Sequence, residues 1–391
     1  MQHFDFDTPI DRTGTYCTQW DYVQDRFGTP GLLPFTISDM DFASPPAVLA
    51  ALKQRLDHPV LGYSRWNHDD FKSSIIHWFH QRFDATMEPE MIVYGPSVIY
   101  MISKLIRLWS QPGDGVVFHS PAYDAFERMI EGLGRSCVPS RLRKGANGYE
   151  IDWADLEAQL SQPHSRVFLL CSPHNPTGRV WRRDELTRLA QLCEKHQVAV
   201  ISDEIHMDVS FAAHTPFQGF GMTSPWALIT SASKSFNIPA LTGAYGFIAD
   251  QQSRDRYLYT LKQVDGLSSP AILGVLATMA AYQHGAPWLD ALSEYVHANH
   301  QYVSMVLNDA FPSVAYQVPQ ATYLAWIDLS SLNLDMNQLN QCLIKDFNVA
   351  IMQGSVYGQS GSGFVRLNLG CPRSKVEAGV TALIGAIRQQ Y

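Results

Sequence analysis

Five short apolar runs constrain this chain more than any other feature: Val116 to His119, Val167 to Cys171, Val198 to Ser202, Ala227 to Thr230 and Tyr245 to Ile248. Each is rich in Val, Ile or Leu and is closed by Ser, Pro or Asp. Runs of this length without polar alternation read as strands buried on both faces. Between them lie segments of helical spacing, such as Arg183 to His196 with Leu186, Leu189, Leu192 and Cys193 on one face. The alternation predicts an α/β fold with a mostly parallel sheet covered by helices.

After about residue 290 the pattern changes. A long polar helix (Asp290 to Leu307) precedes two short runs, Tyr323 to Asp328 and Phe364 to Asn368, and a closing helix, Ser374 to Gln390. These predict a smaller α+β domain. The first fifty residues carry Pro9, Pro30, Pro34, Pro45 and Pro46 and little regular pattern, so they are expected to pack on that smaller domain. The expected division is 1–50, 51–288 and 289–391.

With 46% hydrophobic and 17% charged residues among 391, the chain can bury the core that two domains need. Its net charge of -8 disfavours direct binding to nucleic acid, and no helix-turn-helix module is visible. The first twenty residues include Asp5, Asp7, Asp11 and Arg12 and no apolar core of a secretory signal, so a cytoplasmic location is expected. The six cysteines contain no CxxC pair, which predicts reduced packing thiols and no zinc site. The uncharged stretch Leu267 to Leu289 has a continuous apolar part, Ala271 to Tyr282, that is too short to span a bilayer. A helix buried between domains or subunits is expected there. The basic runs Arg141 to Lys144 and Arg179 to Arg183 read as solvated turns.

Ligands of open α/β sheets bind at the carboxyl ends of strands. Four such ends carry chemistry: Tyr123, the turn Ser172 to Gly178 with Asn175, the pair Asp203-Glu204, and Ser231-Ala232-Ser233-Lys234. An aromatic ring, an amide, a carboxylate and an amine are what pyridoxal 5'-phosphate requires of a protein. Phosphate-loop and HExxH motifs are absent, so nucleotide and zinc chemistry are not expected. Asp203 follows an apolar run and would be costly to bury alone, which a cationic pyridine nitrogen explains.

Asn175-Pro176-Thr177-Gly178, Asp203 and Ser231-x-Ser233-Lys234, in that order, resemble the class I/II aminotransferase family of pyridoxal-phosphate enzymes of fold type I. The resemblance implies that Lys234 binds the cofactor covalently and later removes the substrate α-proton. It implies that Asp203 partners the ring nitrogen, Asn175 donates to the ring oxygen and Tyr123 stacks on the ring. His206 falls where many relatives have a tyrosine; a ring-oxygen contact and a packed core histidine both remain open. For the phosphate it points to Ser231, Ser233 and the Gly95 to Ile99 turn, with the amides of Val98 and Ile99 opening a helix toward the anion. Tyr63 resembles a phosphate-binding tyrosine supplied by the neighbouring subunit, which implies a homodimer. Arg366 resembles the arginine that holds the substrate α-carboxylate.

Thr242 stands where ordinary members of that family carry a phosphate-binding arginine. Lys234-Ser235-Phe236-Asn237-Ile238-Pro239, Ser38 to Phe42 and Asp203 to His206 resemble the carbon–sulfur β-lyase (cystathionine β-lyase) subgroup. The subgroup implies α,β-elimination of L-cystathionine and related cysteine thioethers to thiol, pyruvate and ammonia, with amino-acid transamination as the alternative. Trp20 to Val23, Gly62 to Trp66, Tyr94 to Tyr100 and Cys371 to Lys375 are similar to an enterobacterial branch that also modulates the maltose regulon. That similarity implies a second role through contact with the maltose transcription activator.

Overall fold

The computed structural model describes residues 4–145 and 148–390. Its strands are β1 (Leu33–Phe35), β2 (Ile92–Gly95), β3 (Gly115–Ser120), β4 (Ser136–Gly145), β5 (Gly148–Ile151) and β6 (Ser165–Cys171). They continue with β7 (Ala199–Asp203), β8 (Trp226–Thr230), β9 (Ala244–Ile248), β10 (Leu324–Asp328), β11 (Val349–Gln353) and β12 (Phe364–Asn368). The helices are α1 (Val23–Phe27), α2 (Pro46–Leu56), α3 (Asp69–Phe83), α4 (Val98–Trp109), α5 (Asp124–Gly132) and α6 (Trp153–Leu160). After them come α7 (Arg183–Lys195), α8 (Gln251–Tyr259), α9 (Ile272–His284), α10 (Ala286–Ala310), α11 (Met336–Lys345) and α12 (Arg373–Arg388).

The larger sheet has the order β2-β9-β8-β7-β6-β3-β4-β5. From β4 through β8 the neighbours are parallel. Of these, β3, β6, β7 and β8 are apolar on both sides because both sides are covered. Val117, Phe168, Leu170, Val200 and Leu228 join Leu186, Leu189 and Cys193 of α7 in one cluster. Val116, Phe118, Val167, Leu169, Ile201 and Ile229 join Met101, Ile102 and Leu105 of α4 in another. The five runs picked out in the sequence are β3, β6, β7, β8 and β9.

The last of them departs from the parallel arrangement, since β9 runs antiparallel to both β8 and β2. No crossover helix lies between β8 and β9, only a loop with a short 3₁₀ turn at Pro239–Leu241, and a parallel return needs a longer crossover. The chain order reverses between β3 and β6: β4 lies to one side of β3, whereas β7 and β8 lie beyond β6. The carboxyl ends of β3 and β6 therefore border the crevice in which open sheets bind ligands.

A second sheet, β1-β11-β12-β10, packs its apolar side with Val303 and Leu307 of α10 and Val376, Val380 and Leu383 of α12. β1 enters it parallel to β11, which ties the N-terminal segment to this sheet. α2 instead packs on α9, beside the larger sheet. The apolar stretch after Ala271 is that helix α9, set against α2, α3 and α10. A Cβ at Gly274 would collide with the carbonyl oxygens of Leu241 and Thr242, so glycine lets α9 lie directly on the loop that follows Lys234. Among the described residues no helix is long and apolar enough to cross a membrane.

Two basic runs are not the solvated turns they were expected to be. Arg141 to Lys144 belongs to β4, paired with β5 and β3. Arg179 is buried, and its Nη2 donates to both carboxylate oxygens of Glu185, at 2.8 and 2.9 Å. The same carboxylate accepts from the Arg182 amide at the start of α7, so the ion pair pins the turn that carries Asn175 to the helix that follows it. Removing one partner of a buried pair strands the other charge. Glu185→Ala is expected to lower unfolding free energy by about 3–5 kcal/mol. The change would be read as a lower urea midpoint at unchanged slope; a loss below about 1 kcal/mol would show that the pair behaves as an exposed one.

Candidate active site

One cavity of about 390 Å³ lies between the two sheets, over the carboxyl ends of the parallel strands. Tyr123, Asn175, Asp203, His206, Ser231, Ser233, Lys234, Val98, Ile99 and Arg366 all line it, although they come from six separate stretches of chain. The exception among the expected site residues is Tyr63. Its side chain is 100% exposed and does not border the cavity of its own protomer.

Lys234 follows β8, and its Nζ donates to the carbonyl oxygen of Ser38 at 2.6 Å. Burial pulls this amine below the ordinary lysine range, with Asp39 and Asp203 opposing the shift and Arg366 adding to it. The Ser38 carbonyl also accepts from the hydroxyl of Tyr323, at 2.9 Å. It belongs to a ribbon, residues 36–42, which lies outside both sheets and whose backbone is held largely by side chains. Arg366 donates to Thr36 O, Asn368 to the carbonyls of Ile37 and Asp39, and Asn237 to those of Met40 and Phe42.

Asp203 ends β7, and burial pushes its carboxyl up to about 7. One oxygen accepts from the Ile205 amide at 3.2 Å; the other has no hydrogen-bond partner among the described residues. Asn175 is buried beside it in the turn after β6, and its Oδ1 accepts from Arg366 Nη1 at 3.2 Å, which leaves its amide nitrogen free to donate. His206 is buried and lines the cavity, with its ring edge-on to Tyr323 at 6.1 Å. Burial, with Lys234 and Arg366 nearby, lowers it to about 3, so the imidazole is neutral, and its Nδ1 is buried without a partner. The cavity contact favours the ligand-facing reading of this histidine.

At the opposite end, α4 points its N-terminus into the cavity. Ser97 caps it by accepting from the Tyr100 amide at 3.2 Å, which leaves the amides of Val98 and Ile99 without intrahelical partners. Ser231 donates its hydroxyl to Gly243 O at 2.7 Å and accepts from the Ser233 amide at 3.1 Å. The helix amides and the Ser233 hydroxyl are the donors left for an anion.

The aminotransferase class I and II family matches residues 30–383. The chain belongs to that family. It is 57% identical over 387 residues, 98% of its own length and 99% of the relative's, to Protein MalY of Escherichia coli (strain K12). To Cystathionine beta-lyase PatB of Bacillus subtilis (strain 168) it is 36% identical over 386 residues, again 98% and 99% of the two chains. The crystal structure of the PLP-bound C-S lyase from Staphylococcus hominis has a TM-score of 0.93 at 28% identity and covers 99% of this chain and 98% of that one.

The family's cofactor fits the residues present. A buried carboxylate with one oxygen unpartnered, a neutral histidine with an orphaned nitrogen, a desolvated amine and a helix N-terminus with free amides share one cavity. These residues could hold the ring nitrogen, the ring oxygen, the carbonyl carbon and the phosphate of that cofactor. Tyr323, Tyr357, Arg26 and the Ser38 carbonyl went unrecognised in the sequence. Tyr323 stood at the start of an apolar run, a main-chain acceptor has no residue signature, and Arg26 and Tyr357 lie in no motif.

The raised Asp203 carboxyl has a consequence for the cofactor-free protein. Its folded value, about 7, lies above the ordinary 3.8, so between those values the folded chain binds a proton that the unfolded chain does not. Stability then falls with rising pH and levels off above about 7. Relative to Asp203→Asn, the cofactor-free protein is expected to lose about 3 kcal/mol from pH 5 to pH 8. Parallel urea midpoints for the two proteins across that range would refute the burial argument.

Proposed function

We propose that the protein is a pyridoxal-phosphate-dependent carbon–sulfur β-lyase that converts L-cystathionine and water to homocysteine, pyruvate and ammonia. The observation that carries the reading is the desolvated Lys234 amine, held by Ser38 O in the cavity that Arg366 and Asp203 share, in a chain similar over its whole length to PatB. Bound pyridoxal phosphate supplies a carbonyl for the substrate amine and a ring that draws charge from the α-carbon.

The chain's own residues do the rest. Arg366 takes the α-carboxylate; its Nε is buried without a partner, and its Nη groups are braced by Asn175 and Thr36 O. That grip fixes which α-bond faces Lys234. Nζ of Lys234 removes the α-proton, for which a lowered amine pKa is an advantage at neutral pH. The β-carbon–sulfur bond breaks, sulfur leaves with the electron pair, and the proton on Nζ is available to it. With the cofactor bound, Asp203 would hold a negative charge toward its ring nitrogen, Tyr123 would flank its ring, and His206 and Asn175 would donate to its ring oxygen.

The active unit in this reading is a homodimer. Tyr63 lies with Val60 and Leu61 on a loop that exposes all three, and it serves the phosphate of the facing subunit. A second role, contact with the maltose transcription activator, is supported by the 57% identity to MalY. Added in excess to a purified activator-dependent transcription reaction, the protein should lower transcript yield; an unchanged yield removes this role.

With L-cystathionine and no 2-oxo acid, pyruvate and free thiol are expected in equal amounts and at a steady rate, and Lys234→Ala should produce neither. A single half-turnover that resumes only on addition of a 2-oxo acid would make the protein an aminotransferase instead.

A further inference from the structure

Four cationic side chains border the cavity: Lys234, Arg366, Arg128 and Arg26. Three have committed partners. Lys234 donates to Ser38 O, Arg366 to Asn175 and Thr36 O, and Arg128 pairs with Asp124 at 2.5 Å. Arg26 forms no ion pair among the described residues, and its recorded acceptor is the thioether sulfur of Met352, 3.3 Å from Nη1.

Strand register fixes where that free guanidinium stands. Met352 of β11 is directly opposite Arg366 of β12, so their side chains project from the same face of the sheet as neighbours. Arg26 sits beyond Met352 on that face. Its own helix is short, but Phe27 packs it against the cluster of Trp326, Met352, Tyr357 and Phe364. The result is a row leading outward: a buried arginine, a methionine, and an exposed arginine at the mouth.

We infer that Arg26 binds a carboxylate at the far end of the substrate, on the group that leaves with sulfur. The inference rests on the lyase reading and narrows its substrate class to cysteine thioethers whose leaving thiol itself bears a carboxylate, as the homocysteine half of cystathionine does. Arg366 grips the carboxylate next to the reacting carbon, and the polarizable Met352 sulfur lines the stretch between the two guanidiniums. A guanidinium can take both oxygens of a carboxylate, and an exposed one adds selectivity without the desolvation cost of a buried charge.

The test compares kcat/KM for L-cystathionine and for S-propyl-L-cysteine, whose leaving thiol carries no charge, in wild-type holoenzyme, Arg26→Ala and Arg26→Lys. The ratio of cystathionine to S-propyl-cysteine is expected to fall about tenfold in Arg26→Ala, through KM, with partial recovery in Arg26→Lys. An unchanged ratio, or an equal loss on both substrates, overturns the inference while leaving the lyase reading intact. Loss of bound-cofactor absorbance in Arg26→Ala also overturns it, because the side chain would then serve the phosphate. If the wild-type protein forms pyruvate from neither substrate, the lyase reading fails and this inference fails with it.

Discussion

A stretch of backbone that crosses a protein interior outside any sheet must still satisfy its amides and carbonyls. Residues 36–42 meet that demand largely through side chains, with one main-chain bond from the Asp41 amide to Gly370 O. Arg366 and Asn368 of β12, together with Tyr323, reach them from the smaller sheet, whereas Lys234 and Asn237 reach them from the loop after β8. Gln19 and Arg12 add to the set: Oε1 of Gln19 accepts from the amides of Thr36 and Ile37, and Arg12 donates to Met40 O. The two layers are thus joined through one ribbon, and the same bonds position both the amine and the guanidinium that face the cavity.

The cavity owes its reactivity to incomplete satisfaction elsewhere. Asp203 is buried with one amide for company, and His206 keeps an orphaned nitrogen. A globular core normally removes such groups, since each costs free energy when unpaired. Their collection at the point where the strand order reverses marks a place shaped for a ligand that is cationic at one end and anionic at the other. The Val98 and Ile99 amides of α4, which have no intrahelical partners, supply the complement for the anionic end.

The legible parts of the site were those that follow strands. Lys234, Asp203 and Asn175 each come directly after an apolar run, so residue type and position could be read together. Arg26 and Tyr357 reach the cavity only because β11 and β12 pair and carry distant segments with them, and pairing partners leave no trace in a single sequence. Direction was equally hidden: the run that became β9 has the same apolar character in a parallel or an antiparallel strand. The helix expected from Asp290 begins earlier, at Ala286, because Pro287 falls in its first turn, where a missing amide proton costs nothing.

The ribbon gives the molecule the character of a clutch. Ser38 O is gripped by Tyr323 on one side and Lys234 on the other, so any sliding of one layer over its neighbour drags the acceptor away from the amine. Alignment of the reactive nitrogen is then a property of how the two halves are seated together.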